Sequence, residues 1–149
     1  MTGSLQVALR QSSARDREYC YQLHRGVLRE YVEQIWGWDE DRRRALYEDG
    51  FEPARTQIIT VDGADAGVLC VDESGDEVFL GLIELHPNYQ GQGIGAHIVG
   101  TLLAEAESRG RSITLEVLDV NQRAKAFYER LGFRKVGRPR EHKIRMRSG

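Results

Sequence analysis

Cysteine is scarce in this sequence, which excludes two classes of protein. Cys20 and Cys70 are the two cysteines among 149 residues. They stand far apart, each inside an apolar pattern, and so form neither a zinc-binding spacing nor a dense disulfide framework. We expect two reduced, buried thiols and no metal site.

Long apolar stretches are also missing. No segment approaches the roughly 20 apolar residues that a transmembrane helix requires. The segment from Met1 to Gln6 has neither the basic region nor the apolar run of a secretion signal. We therefore expect a cytoplasmic protein with no membrane partner.

The chain has little excess of either charge, with a formal net charge of −2. This balance argues against a main role in binding nucleic acid, and we expect no such partner. The segment 130–147 is locally rich in arginine and lysine. Charge patterning favours a solvated strand face there, and an anion-binding or nucleic-acid-binding hairpin is the alternative.

The residues that are present fit one globular domain over 1–149. The composition is 40% apolar and 30% charged, which is typical of a soluble domain with a single core. Four segments have helical patterns. They are a helix after a cap at Ser12-Ser13, with apolar residues at Cys20, Leu23, Val27, Tyr31 and Ile35; a short helix capped by Asp39 and ended by Gly50; a helix from Ile94 that Gly110 ends; and a helix capped by Asn121 and stopped by Gly132.

Strand patterns fill the intervals between the helices. They cover 5–9, 56–61, 66–71, 78–85, 113–118, 133–137 and 143–147. Tight turns join the middle three strands into an antiparallel meander, and the strand–helix–strand unit from Val78 to Leu118 predicts a parallel pair. We expect an α/β (α+β) fold with a mixed, mostly antiparallel sheet of six to seven strands and four helices.

A glycine-rich loop lies between the most apolar strand and the third helix, with the sequence Gln90-Gly91-Gln92-Gly93-Ile94-Gly95. Glycines let a backbone approach a ligand closely, and the free N–H groups of a helix start bind phosphate oxygens. A turn without a ligand is disfavoured, because each glycine in a helical turn costs about 1 kcal/mol relative to alanine. The loop therefore predicts a phosphate site.

Two nucleotide-binding motifs compete for this loop. A Walker loop ends in Gly-Lys-Ser or Gly-Lys-Thr, and no lysine follows here. Gly91, Gly93 and Ala96 satisfy the dinucleotide pattern G-x-G-x-x-A. However, the unit begins past mid-chain after antiparallel strands, and too little chain follows Asp119 to complete a doubly wound sheet.

Two motifs carry a resemblance to a known family. Gln90-x-x-Gly93-x-Gly95, after a strand that ends Leu85-His86-Pro87, resembles the acetyl-CoA motif of the GCN5-related N-acetyltransferases (GNAT). The segment from Asn121 to Phe133, NQRAKAFYERLGF, is also similar to a segment characteristic of that family. Together, in this order, the motifs are specific, and the resemblance extends from the first strand to the last.

The resemblance implies acetyl-CoA as cofactor. Its pyrophosphate would lie on the backbone of Gln90, Gly91, Gln92, Gly93, Ile94 and Gly95. Its pantetheine arm would pair with the backbone of Ile83 and Leu85, in a gap where the central parallel strands splay apart, helped by a bulge. Asn121 would bind a cofactor amide, cap its helix, or do both. Ala124 and Phe127 would pack along the arm.

The resemblance also implies an N-acetyltransferase, in which a neutral amine attacks the thioester directly. Tyr128 matches the tyrosine acid of the family, with a packing role as the alternative, and the Leu85 amide would bind the acetyl oxygen. Glu84 is the first candidate for the base, although a solvent-facing carboxylate is an equal alternative. Glu116 and His86 are the fallback candidates.

The acceptor is expected to be a primary amine of a small molecule or a peptide. Family members bind it between the first two helices and the final hairpin, so Tyr31 and Trp36 are candidate substrate-binding residues, with a core position as the alternative. His24 is expected to be structural or exposed.

A non-catalytic acetyl-CoA-binding sensor or partner protein is the alternative function. A homodimer, frequent in the family, leaves no clear mark in the sequence.

Overall fold

The computed structural model describes residues 5–149. Within this range the chain forms seven strands and four α-helices. The strands are β1 (Val7–Gln11), β2 (Thr56–Val61), β3 (Ala64–Asp72), β4 (Val78–Leu85), β5 (Ile113–Leu118), β6 (Arg134–Arg140) and β7 (Lys143–Arg147). The helices are α1 (Arg17–Ile35), α2 (Glu40–Gly50), α3 (Ile94–Ser108) and α4 (Gln122–Arg130). Residues 1–4, part of the segment predicted to lack a secretion signal, lie outside the described range.

The strands form one mixed sheet in the order β1-β2-β3-β4-β5-β7-β6. Among the described strands, β4 and β5 are the one parallel pair, and every other neighbouring pair is antiparallel. This confirms the predicted fold class. β1 lies slightly further along the chain than the predicted 5–9, and β6 extends to Arg140.

Helices cover both faces of the sheet. On one face, Cys20 and Leu23 of α1 pack against Ile58 of β2 and Val68 of β3, and all four are buried. On the other, Ile98 and Val99 of α3 belong to a larger core with β-strand residues and Tyr128 of α4. Burying each large aliphatic side chain stabilises the fold by roughly 1.5–3 kcal/mol. The two layers therefore hold the sheet, and the site described below, between them.

Both cysteines are free thiols, as predicted, but they differ in burial. Cys20 of α1 is buried, whereas Cys70 of β3 is half-buried. The expectation of two fully buried thiols is therefore wrong for Cys70, because its side chain lines a cavity between α2 and the sheet.

A bulge interrupts β4. Cys70 of β3 pairs with Leu82, whereas the next residue, Val71, pairs with Leu80, so Gly81 is the extra residue. The extra residue reverses the alternation of side chains along the strand. As a result, Leu80 packs in the core with α3, whereas Leu82 packs in the core with α1.

The parallel strands β4 and β5 splay apart beyond the bulge. Their register runs from Val78↔Ile113 to Leu80↔Leu115 and ends there, although β4 continues to Leu85 and β5 to Leu118. This confirms the predicted splay and bulge. Among residues 5–149, no helix is both long enough and apolar enough to span a bilayer.

Candidate active site

The gap between β4 and β5 exposes a row of backbone groups. The N–H of His86 donates to the Ala66 carbonyl at 2.8 Å, so the backbone of His86 faces β3. Backbone groups alternate in direction along an antiparallel strand, and Ile83 and Leu85 therefore direct theirs towards the gap. The Leu85 carbonyl accepts a hydrogen bond from Gln90 Nε2 at 2.9 Å. The Leu85 N–H and the polar groups of Ile83 remain on the open edge.

The glycine loop leads directly into α3. Gly91 and Gly93 have positive φ angles of 75° and 81°, a conformation that glycine adopts without strain. Gly93 is the N-cap, and the first helical hydrogen bond runs from His97 N–H to the Gly93 carbonyl at 3.0 Å. The N–H groups of Ile94, Gly95 and Ala96 precede that bond, at the positive end of the helix dipole. The loop is therefore suited to bind an anion.

Gly95 allows three elements to meet beside the gap. A Cβ at this position would lie 3.5 Å from the Phe127 ring of α4 and 3.8 Å from the Leu85 side chain of β4. Ala124 and Phe127 both pack against the core that contains Ile94. The start of α3, the end of β4 and one face of α4 thus enclose the gap.

Asn121 caps α4 at the far side of the gap. Its side-chain oxygen accepts a hydrogen bond from the Ala124 N–H at 3.0 Å, so the predicted capping role is confirmed. The cap uses the oxygen and leaves the Nδ2 group as a donor. A second role towards a ligand is therefore compatible with the cap.

Tyr128 lies on the buried face of α4. Its ring packs edge-on against Phe127 and Phe133, with centroid distances of 5.1 and 5.5 Å. Burial, with a further contribution from the negative charge of Glu84, raises the pKa of Tyr128 to about 12. At neutral pH Tyr128 therefore carries a proton that it can donate.

Glu84 is buried beneath α1. Its side chain is 4% exposed, and Oε2 lies 2.9 Å from Nδ1 of His24. Among residues 5–149, Oε1 is buried without a hydrogen-bond partner. The solvent-facing alternative for Glu84 is therefore wrong, because the bulge at Gly81 places its side chain on the face that α1 covers.

His24 of α1 contacts Glu84, a pairing that the sequence does not predict. Its ring packs against Tyr47 of α2, with a centroid distance of 4.9 Å, and its side chain is 25% exposed. It lines a cavity of about 380 Å³ between α2 and strands β2 to β4. Its position between Cys20 and Val27, on the apolar face of α1, was the available signal.

The remaining base candidates have other partners. Glu116 accepts hydrogen bonds from Arg140 at 2.9 Å and Arg145 at 3.0 Å. Burial of Glu116 opposes its ionisation, but these two arginines outweigh it and lower its pKa. His86 Nδ1 accepts the Asn88 N–H at 3.2 Å, as a turn residue does. Neither residue therefore combines the buried position of Glu84 with its contact to His24.

Comparison with known proteins now identifies the family. The sequence model of the acetyltransferase (GNAT) family matches residues 18–133. The chain belongs to this family. A search of curated protein sequences finds no significant match.

Solved acetyltransferase structures share the GNAT fold of this chain. The PaiA N-acetyltransferase from Thermoplasma acidophilum, solved with coenzyme A, is 15% identical, with a TM-score of 0.75 over 96% of this chain and 98% of that one. An acetyltransferase from Thermus thermophilus is 20% identical, with a TM-score of 0.70 over 95% and 96%. The ribosomal-protein-S18-alanine N-acetyltransferase from Escherichia coli is 25% identical, with a TM-score of 0.62 over 96% and 93%.

The two candidate substrate-binding aromatics of this GNAT protein differ in exposure. Trp36, at the end of α1, is 53% exposed, so its core alternative is wrong. Its ring lies 5.7 Å from that of His142, in the turn between β6 and β7. Tyr31 is half-buried. Trp36 therefore lies where the first two helices approach the final hairpin.

Proposed function

We propose that this chain transfers an acetyl group from acetyl-CoA to a primary amine of a small molecule or peptide. The supporting observation is the alignment of the α3 start with the open edge of β4. Gln90 joins the two features through its bond to the Leu85 carbonyl. A cofactor that binds the loop through its diphosphate can therefore extend its arm along the strand.

The residues present fit this cofactor. Gly91 and Gly93 have open space where a Cβ would stand, so a phosphate can approach their backbone. In this proposal the backbone from Gln90 to Gly95 binds the pyrophosphate, and Ile83 and Leu85 pair with the arm. Asn121 donates its free amide group to the arm, while Ala124 and Phe127 pack along it. The solved structure from Thermoplasma acidophilum, described with coenzyme A, supports this assignment.

The chemistry requires an amine without its extra proton. When bound, acetyl-CoA supplies a thioester whose carbonyl carbon the amine attacks. An alkylammonium has a pKa near ~10, so a group of the protein must accept its proton. The negative charge of Glu84 favours the departure of that proton from the amine. The Leu85 N–H donates to the acetyl oxygen, and Tyr128 donates a proton to the departing sulfur.

The acceptor approaches from the side of α1 and α2. Trp36 and Tyr31 form a wall of this approach in our proposal, which explains why so large an aromatic as Trp36 is exposed. An exposed aromatic ring binds apolar or cationic groups of a ligand.

Two measurements test the proposed function. We expect isothermal titration calorimetry to show that coenzyme A binds the purified protein. We also expect thiol release from acetyl-CoA to depend on an added amine. Tight binding without thiol release, across a broad amine panel, would support the non-catalytic sensor instead. No binding at millimolar coenzyme A would contradict both.

A further inference from the structure

The contact between His24 and Glu84 sets which nitrogen of the imidazole is available. With its proton on Nδ1, the ring donates to Glu84 Oε2 at 2.9 Å, and Nε2 is then left as an acceptor. Glu84 itself is 4% exposed, whereas His24 is 25% exposed. An entering ligand therefore meets the imidazole, and the carboxylate stands behind it.

The cavity that His24 lines, of about 380 Å³, has the size of a small-ligand site. Its walls include Tyr47 and Phe51 from the α2 side and Leu82 of β4. It also reaches Gly81, the bulge residue beyond which β4 leaves β5. One end of the cavity is therefore next to the gap in which the proposed cofactor arm would lie.

The charges around the cavity favour a particular kind of amine. Among the described residues that line it, none is acidic, and Arg43 is a cation. Burial raises the pKa of both Tyr47 and Cys70, so both stay neutral near pH 7. Glu84 is not part of the cavity wall, but its carboxylate contacts His24, which is. It is thus the negative charge next to this wall. A second positive charge on the acceptor would have no partner here.

We propose that this cavity is the acceptor site, that it takes a monoamine with an apolar or aromatic body, and that His24 accepts the proton of that amine. Glu84 is the positioning residue, since it holds Nδ1 and stabilises the imidazolium that forms. This inference rests on the proposed acetyl transfer and adds the acceptor class and the proton acceptor to it.

The protons of this step balance. His24 Nε2 takes one proton from the ammonium and releases it to solvent. The neutral nitrogen then attacks the thioester carbon, so that a C–N bond forms and the C–S bond breaks. The sulfur leaves with a proton from Tyr128, and the nitrogen loses its second proton, which restores Tyr128 through solvent. One ammonium ion and one thioester give one amide, one thiol and one released proton.

His24→Asn tests the role of the imidazole against a purely structural one. An asparagine amide can still donate to Glu84 from the Nδ1 position, but it has no group in place of Nε2. We expect kcat/KM for 2-phenylethylamine to fall about 10²-fold. The pH profile of kcat/KM should also differ from that of the wild type, because the proposed proton acceptor is missing. The control His97→Asn changes an exposed histidine on α3 and should leave the rate unchanged.

Chemical rescue separates a missing base from a damaged fold. His24→Ala leaves space at the cavity wall, and added imidazole should restore part of its activity while leaving the wild-type rate unchanged. Full activity of His24→Asn with an unchanged pH profile would overturn the inference. Loss of activity in His24→Ala without rescue, together with an active His24→Asn, would also overturn it.

A readout without acetyl-CoA tests the geometry directly. In ¹⁵N NMR spectra, His24 should be the Nδ1-protonated tautomer in the wild type, and Glu84→Met, which lacks an acceptor oxygen, should abolish that preference. A wild-type Nε2-protonated tautomer would overturn the inference.

The acceptor class is tested with 2-phenylethylamine and the polyamine spermidine. We expect the monoamine to have a kcat/KM at least tenfold higher, and a preference for spermidine would overturn the assignment. If the wild type transfers acetyl groups but these tests fail, the inference alone fails. If the wild type transfers none to any amine, the proposed function fails, and the inference fails with it.

Discussion

At the scale of single residues, burial decides what Tyr128 can do. A tyrosine hydroxyl with its pKa raised to about 12 stays protonated through neutral and moderately alkaline solution. Such a group donates a proton and does not accept one. Tyr19 of α1 has a similar pKa of about 12, also because of burial, but it lies with the core under α1. The two tyrosines therefore form a matched pair with similar acidity and different surroundings.

We expect Tyr128→Phe to lower kcat about 10²-fold, because the departing thiolate would lose its proposed proton donor. Coenzyme A affinity should change little, since the ring and its packing remain. Steady-state kinetics and calorimetry measure the two quantities. Tyr19→Phe removes a buried hydroxyl that has no partner among residues 5–149 and should leave kcat unchanged. Equal kcat in Tyr128→Phe and wild type would remove Tyr128 from the chemistry.

At the scale of elements, the start of α3 combines two requirements at one position. Gly93 has a φ of 81°, and in our proposal the open space beside it admits a phosphate. The left-handed N-cap favours glycine for backbone reasons alone. The same residue leaves room for the proposed phosphate contact.

We expect Gly93→Val to abolish coenzyme A binding, because the side chain would occupy the proposed phosphate site. The cost to folding should be about 1–2 kcal/mol, from the left-handed backbone alone. Gly100→Ala is the control within the same helix. A Cβ there meets no heavy atom within 4 Å, so alanine should stabilise α3 by about 0.5–1 kcal/mol and leave binding intact. Calorimetry and thermal unfolding give both numbers, and normal binding by Gly93→Val would contradict the loop assignment.

At the scale of the whole molecule, Arg10 joins three separate parts of the chain. From β1, its guanidinium donates to Asp16 just before α1, at 2.9 and 3.1 Å, and to Asp65 of β3, at 3.0 and 3.2 Å. The hydrogen bonds from Arg10 hold the pKa of Asp16 below its ordinary value of 3.8. Folded Asp16 is thus more acidic than unfolded Asp16, and its ion pair contributes stability above pH 3.8.

We expect Arg10→Gln to lower the free energy of unfolding at pH 7 by about 1 kcal/mol, the size expected of a partly exposed ion pair. The difference from wild type should shrink as the pH falls from 3.8 through the folded pKa of Asp16, because protonation removes the pair in both proteins. Urea unfolding at several pH values measures this. The control Arg134→Gln changes an exposed arginine that makes no ion pair within the described chain. A constant difference at all pH values would contradict the assignment.

The sequence by itself determined the elements and the glycine loop. The apolar repeat from Cys20 to Ile35, the cap at Asn121 and the stop at Gly132 are local signals, and the structure has each of them in place. Such patterns depend on residues within one turn of helix or one strand, so they are readable without the fold. The tight turns and the strand–helix–strand unit from Val78 to Leu118 predicted how the central strands pair.

The tertiary structure alone decided which side chains face each other between α1 and the sheet. His24 and Glu84 lie 60 residues apart and meet at 2.9 Å, a contact that no local pattern contains. Glu84 reaches that face because of the Gly81 bulge, which reverses the alternation of β4. The alternation of residues along a strand sequence does not reveal where one extra residue is inserted. The burial of Glu84 and the exposure of His24 therefore became clear only when α1 and the sheet were packed together.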